Sequence, residues 1–296
     1  MSATATGDER FDPVGGVLSV LSLAQGEART TEDIFTGVSA RMPHGRIFGG
    51  QVLGQAVIAA SRTVDSTRPI HSMHGYFLRP GDSTRGVTLS VDRLRDGRSF
   101  SARRTQAFQD GAPIFSMIAS FEAEAGGVDH ATPPPSDIPP PEELADIHDD
   151  PRAVTLRSFG VLPIDARHVE GSLFGHEAGA VQRHQAVWVR TRGRLSDDPL
   201  LHRAALAFLS DLTIQEPILR AHGLTWTTAG MSVASLDHAM WWHRFARVDE
   251  WLLYVQESPS AQGGRGLSTG RIYSREGELV ASVAQEVMVR LPHEQG

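Results

Sequence analysis

The 296-residue chain contains no cysteine. Disulfides, a thiol nucleophile and thiolate metal sites are therefore excluded, and a reducing, cytoplasmic setting fits. Lysine is also absent, so every formal basic side chain is an arginine. No apolar run approaches the roughly 20 residues that cross a bilayer. The opening MSATATGDERFDP has neither a basic n-region nor an apolar h-region, and the closing HEQG is not a peroxisomal address, so no targeting signal is expected. Phosphate-loop, dinucleotide and H-E-x-x-H motifs are missing too, and His71 and His74 lie too close in sequence for helical i, i+4 ligands. Neither a cofactor nor a metal is expected. The formal net charge of -7 argues against a nucleic-acid partner, although a local group of arginines could still hold phosphates.

What is present is an ordinary globular composition, 40% hydrophobic and 21% charged, long enough to bury a substantial core. Stacked prolines make residues 125–151 an extended connector, since proline fixes φ and removes a donor. The chain is thereby divided into 1–124, the connector, and 152–296.

The two parts repeat a pattern. In the first, the glycine-led helix GRIFGGQVLGQAVIAASRTV precedes the strands HSMHGYFLRPGD, VTLSVDRLR and SFSARRTQAFQ, a turn at Asp110-Gly111, and PIFSMIASFE. In the second, PLLHRAALAFLSDLTIQEPILRAHG reads as one helix ending at a glycine cap. The strands SVASLDHAMWWHR, EWLLYVQES and LSTGRIYSR follow, then a turn at Glu276-Gly277 and ELVASVAQEVMVR. Aligning the turns gives an offset of 277 − 111 = 166 residues. An apolar helix followed by long antiparallel strands, twice over, predicts an α+β fold: two repeats of a curved antiparallel sheet wrapped around a central helix.

Three polar residues stand out. Asp211 lies in AALAFLSDLTI, apolar on nearly all faces, where a carboxylate must be paired, hydrogen-bonded or protonated. Desolvation would raise its pKa towards the range of a general base; a structural Asp bonded to a nearby amide is the alternative. Gln285 shares the inward face of its strand with Leu279, Ala281, Val283, Val287 and Val289. It could orient a water, or be a core amide satisfied by backbone. Its counterpart in the first part is Ala119 (285 − 166), so the repeat does not require an amide there. Ser235 shares a strand face with Met231, Val233, Asp237 and Ala239, and could face inward or simply fill space. Asp237 and His238 then point to opposite faces and cannot both join it.

Gly266-Leu267-Ser268-Thr269-Gly270 matches a nucleophile-elbow pattern, but a polar loop is expected before it and no helix after it, so Ser268 is rejected as a nucleophile. Arg93, Arg95, Arg98, Arg103 and Arg104 form a basic group that could meet an anionic ligand or be a solvated strand face.

Taken together, FGGQVLGQA (48–56), HSMHGYFLRPGD (71–82), RDGRSFSARR (95–104), PIFSMIASF (113–121), LSDL (209–212), ASLDHAMWWHR (234–244), WLLYVQESPSA (251–261) and ASVAQEVM (281–288) resemble the acyl-CoA thioesterase II family. The resemblance implies a double hotdog fold and hydrolysis of acyl-CoA to free fatty acid and CoA, with no metal and no covalent intermediate. It places the family's site residues on Asp211, Ser235 and Gln285, with serine where many relatives carry threonine. Asp211 would act as general base, while Ser235 and Gln285 fix the attacking water. Arg103, Arg104 or Arg265 could meet the CoA phosphates, and a homo-oligomer, dimer or tetramer, is expected. The alternatives are a hotdog acyl-CoA hydratase or dehydratase, and a non-catalytic acyl-CoA-binding protein. Dehydratase relatives carry a catalytic His five residues after the helix Asp, and that position is Glu216 here.

Overall fold

The computed structural model describes residues 13–25, 32–42, 44–146, 164–174 and 181–292. Most of the N-terminal segment searched for a signal, the final four residues, and the predicted junction between connector and second part, 147–163, lie outside the described residues.

The first half comprises α1 (Pro13–Leu21), β1 (Leu23–Gln25), β2 (Asp33–Gly37), α2 (Gly49–Ser61), β3 (Ile70–Phe77), β4 (Val87–Asp96), β5 (Phe100–Gln109) and β6 (Ala112–Glu122). The second comprises β7 (Ile164–His168), β8 (His184–Thr191), α3 (Pro199–Ser210), α4 (Glu216–Ala221), β9 (Ser232–Ser235), β10 (Asp237–Trp242), β11 (Leu252–Gln262), β12 (Arg265–Ser274) and β13 (Leu279–Arg290).

The strands form one antiparallel sheet in the order β1-β2-β4-β5-β6-β3-β10-β13-β12-β11-β8-β7, with the short β9 added on β13. Read outward from its centre, β3-β6-β5-β4-β2-β1 on one side matches β10-β13-β12-β11-β8-β7 on the other. The halves meet where β3 pairs with β10, Met73 opposite Met240. Period-two alternation sends Leu89, Met117, Ala119, Val187, Tyr254 and Val283 inward, where they enclose α2 and α3 in a single core. Burial of both helices follows from their sequences, which carry small and aliphatic residues on most faces.

α2 and α3 pack directly on each other because glycines allow it. A Cβ at Gly50 would strike the Phe208 carbonyl oxygen, and one at Gly54 would lie 3.1 Å from that of Ala204. These two contacts are exchanged by a constant separation, 208 − 54 = 204 − 50 = 154. In the strands Arg103 faces Ala119 as Ser268 faces Gln285, separations of 165 and 166. The offset of 166 therefore holds to within one residue for the strands that follow the helices, and not for the helices themselves. About a dozen additional residues follow the second helix, and they contain α4.

The helix expected over 199–223 is broken. Asp198 caps its start, its carboxylate accepting from Leu200 N at 2.9 Å. α3 then stops at Ser210 with Asp211 as its cap residue. Pro217 is the physical reason that one helix cannot run through, since it lacks an N–H and its ring would meet the preceding turn. The expected glycine cap is present: Gly223 has φ +64°, and Leu224 N bonds Leu219 O at 2.9 Å. The strand expected over 232–244 also breaks, at Leu236, between β9 and β10. The polar run ESPSAQ, expected as a loop, lies within β11, and a Gly263-Gly264 turn with φ of 61° and 74° leads into β12. Ser268 thus sits inside a strand that ends in another turn, a different reason for the same rejection. At Asp110-Gly111 both residues adopt positive φ, 49° and 76°, as a tight hairpin requires.

The described part of the connector lies along the outer face of the second half. Its carbonyls accept from Trp188 Nε1 (Pro139, 2.9 Å) and Arg167 Nη1 (Pro141, 2.7 Å). Ile138 and Leu144 cover Ala186, Trp188, Trp251, Leu253 and Tyr273. Prolines cannot donate to a sheet, but their carbonyls still accept, so this segment packs as a strap and not as a strand.

Candidate active site

Asp211 is 2% exposed. It stands where α3 ends, next to the N-terminus of α2 from the other half. Oδ2 accepts from Gly50 N at 2.8 Å, and Oδ1 accepts from Gln285 Nε2 at 2.9 Å and Ser235 Oγ at 3.2 Å. A Cβ at Gly49 would lie 2.6 Å from Oδ2 and 3.0 Å from the Phe77 ring. The glycine pair is what allows the carboxylate to approach the helix. The positive end of the α2 dipole favours the anion, and the negative end of α3 opposes it. Burial is the larger influence and raises the pKa of Asp211 from 3.8 to about 6; the bonds from Gln285, Gly50, Ser235 and Gln215 work in the other direction.

Ser235 Oγ accepts from Gln285 Nε2 at 2.9 Å and from Gln215 Nε2 at 3.1 Å. With two N–H donors directed at it, its own proton goes to Asp211. Gln285 is fully buried on the inward face of β13, as its alternation predicts. Its Oε1 accepts from His238 Nδ1, and His238 Nε2 lies 2.9 Å from Ser210 Oγ. The break at Leu236 changes the faces expected from an unbroken strand. Ser235 and His238 both reach Gln285, while Asp237 turns aside and accepts from Glu286 N at 2.7 Å. Tyr254 Oη donates to Ser210 O at 2.9 Å and closes the end of α3.

The structure therefore brings Asp211, Ser235 and Gln285 into one hydrogen-bonded cluster. To these it adds Gly50, Gln215 and His238, which sequence reasoning did not assign. Gln215 follows Asp211 across the non-helical turn between α3 and α4, so no helical spacing pointed to it. Gly50 and His238 lie within the FGG and LDH strings already noted, but their roles depend on contacts between distant segments.

The three arginines fare differently. Arg103 is 1% exposed, and its guanidinium bonds Thr63 Oγ1 and O, Arg95 O, Ala102 O and Asp96 Oδ1. All five N–H donors are used inside the first half, so Arg103 is withdrawn from the phosphate-binding set. Arg104 pairs with Asp92 and Arg265 with Glu286, both at the surface. In the wider basic group, Arg93 is held by Asp33 at 2.8 Å. Glu216 is buried and holds His168 Nε2 at 2.8 Å, Gln185 Nε2 at 2.9 Å and Trp226 Nε1 at 3.0 Å. Among the described residues no three His, Cys, Asp or Glu side chains gather as metal ligands, and no helix is long and apolar enough to cross a membrane.

Known proteins resemble this chain along most of its length. Residues 38–122 match the model described as acyl-CoA thioesterase N-terminal domain, and residues 164–288 the model described as acyl-CoA thioesterase. Human acyl-coenzyme A thioesterase 8 is 36% identical over 300 residues, spanning 96% of this chain and 93% of that protein. The crystal structure of an acyl-CoA thioesterase II from Mycobacterium marinum superimposes with TM-score 0.75 at 41% identity, covering 93% of this chain and 98% of its own. A hot dog fold protein from Alicyclobacillus acidocaldarius gives TM-score 0.75 at 17% identity, covering 94% of this chain and 98% of its own, a likeness of fold.

Proposed function

The chain belongs to the acyl-CoA thioesterase II family and has its double hotdog fold, and we propose that it hydrolyses acyl-CoA through a water activated by Asp211. The observation that carries this reading is the buried carboxylate bonded at once to Gly50 N, Ser235 Oγ and Gln285 Nε2. A base with pKa about 6 is ionised at neutral pH and still basic enough to take a proton from water during attack.

In this mechanism a water takes the place of the direct bond between Gln285 Nε2 and Ser235 Oγ, accepting from the amide and donating to the hydroxyl, and loses its other proton to Asp211 as its oxygen attacks the thioester carbonyl carbon. The positive end of the α2 dipole favours the developing oxyanion. Collapse breaks the C–S bond, CoA leaves as thiolate, and Asp211 returns its proton; no covalent intermediate forms. Arg104 and Arg265 are the arginines proposed to meet CoA phosphates, each exchanging its surface carboxylate for phosphate. The same reading has the enzyme act in the cytoplasm as a homo-oligomer.

The hydratase or dehydratase alternative is disfavoured by position 216, where Glu216 is occupied by His168, Gln185 and Trp226. Purified protein incubated with medium- and long-chain acyl-CoAs should release free thiol, and should not hydrate enoyl-CoA. Absence of thiol release at every chain length would overturn the proposal and leave acyl-CoA binding without turnover. Light scattering on the purified protein tests the oligomer.

A further inference from the structure

An amide side chain has two faces, and only one of them serves the proposed chemistry. Gln285 must present its NH2 to Asp211 and Ser235; turned over, it would place a carbonyl oxygen against a carboxylate and leave the water without a donor. The bonds to Asp211 and Ser235 do not fix this choice when Asp211 is protonated, because a neutral carboxyl can donate as well as accept. A partner on the far side of the amide is needed.

We propose that His238 is a positioning residue that locks the Gln285 amide with its NH2 towards Asp211. His238 is 1% exposed and on β10, with Nδ1 against Gln285 Oε1 and Nε2 2.9 Å from Ser210 Oγ. Oε1 can only accept, so Nδ1 must carry the proton. Burial lowers the pKa of His238 to about 4, so the ring is neutral and its Nε2 is a bare acceptor. Ser210 Oγ lies 2.9 Å from both Ala207 O and Nε2, and with Nε2 bare the hydroxyl donates its hydrogen bond to the ring, shared with Ala207 O. The donors then run in one direction: Ser210 to His238, His238 to Gln285, Gln285 to Asp211 and Ser235. The chain starts from the residue preceding Asp211, so the end of α3 sets both the base and the direction of the amide that serves it.

In the first half, residue 119 is alanine and no such chain is required. His238 is thus tied to the amide and not to the shared strand plan. The ionisable side chain that feels the charge of Asp211 from the adjoining β11 is Tyr254, whose hydroxyl is bonded to Ser210 O.

The inference rests on the reading of Gln285 as the water-orienting amide, and the experiment separates the two. His238→Leu, His238→Asn, Ser210→Ala, Gln285→Ala and the double variant His238→Leu/Gln285→Ala are compared for thiol release across pH. His238→Leu should lower kcat about 10- to 100-fold with KM changed less than about threefold, the size expected for losing a directed bond to a charged network. Its acid limb should move upward from about pH 6, because an amide free to turn no longer holds the Asp211 anion down. His238→Asn can donate from nearly the place of Nδ1 and should recover most of kcat and the original limb. In the Gln285→Ala background, His238→Leu should add little.

If His238→Leu keeps wild-type kcat and acid limb while Gln285→Ala is strongly impaired, the role of His238 falls and the proposed function stands. If Gln285→Ala itself turns over normally, the reading of Gln285 falls. Multiplying effects in the double variant would also overturn the inference. Should His238→Leu not fold, Ser210→Ala tests the same chain with a smaller loss, and unchanged kcat and pH profile there would count against it.

Discussion

Where the second half carries Gln285 the first carries Ala119, and where helix packing places Asp211 in the second (211 − 154 = 57) the first carries Val57. Both Ala119 and Val57 are fully buried in the common core. One half has kept polar groups inside and holds them with hydrogen bonds; the other has apolar groups at the same places and needs none. The outer faces contrast in the opposite sense. The second half hides Trp188 and Leu253 beneath the connector, while the first leaves Tyr76 62% and Ile118 53% exposed. A polar interior and a covered exterior go together in the half that carries the proposed site. Packing lost to buried polar groups within is partly offset by apolar burial without.

The strongest way to break this comparison is Asp211→Asn. Turnover should fall about 1,000-fold or more, and kcat/KM of the unaltered enzyme should rise with pH through about 6. A carboxyl raised from 3.8 to about 6 favours the folded state fully below pH 4, and that contribution fades as pH rises through 6. At pH 7 the ionised group costs about 3 kcal/mol, so the Asn variant should melt no lower than wild type there. A variant that lost stability as well as activity would mark Asp211 as structural.

Next in size, Trp188→Ala beneath the connector should cost about 3–5 kcal/mol in denaturant unfolding, against about 0.5 kcal/mol for Ile118→Ala on the open face. Equal losses would erase the contrast between the two exteriors. Arg103→Met should destabilise by about 3 kcal/mol with KM for acyl-CoA unchanged, since its bonds lie wholly inside the first half. Arg104→Ala and Arg265→Ala should instead raise KM about 2- to 5-fold at low salt, with the effect fading as salt is added. Smallest of all, Ala119→Gly should leave kcat unchanged and cost about 0.5–1 kcal/mol as a strand glycine.

The strand plan was legible because period-two burial and the Asp110-Gly111 turn are local signals. Gln285 could be placed inward from its strand neighbours alone, and Asp211 was conspicuous against its apolar surroundings. Three things were not legible. The helix over 199–223 breaks at Asp211, with Pro217 marking a boundary that apolar periodicity masked. The strand break at Leu236 moves His238 to the site side, which simple alternation forbids. Arg103 looked like its neighbour Arg104, yet strand alternation sends one into the core and the other outside. A run of like residues in a strand divides between two environments, and composition alone does not say which receives the anion.

The bond from Gly50 to Asp211 crosses from one half to the other. In a symmetric pair of identical repeats every such bond would occur twice. Exchanging the halves by the helix offset turns Gly50 into Ala204 and Asp211 into Val57, so the matching contact has neither the exposed helix-start amide nor the charge. Joining the repeats in one polypeptide is what permits such a division of labour. Two copies of the first half would supply the glycine start without a carboxylate; two copies of the second would supply the carboxylate without that start. Only the unlike pair rebuilds the arrangement, in a ratio of one to one, with the glycine start from one half and the carboxylate from the other.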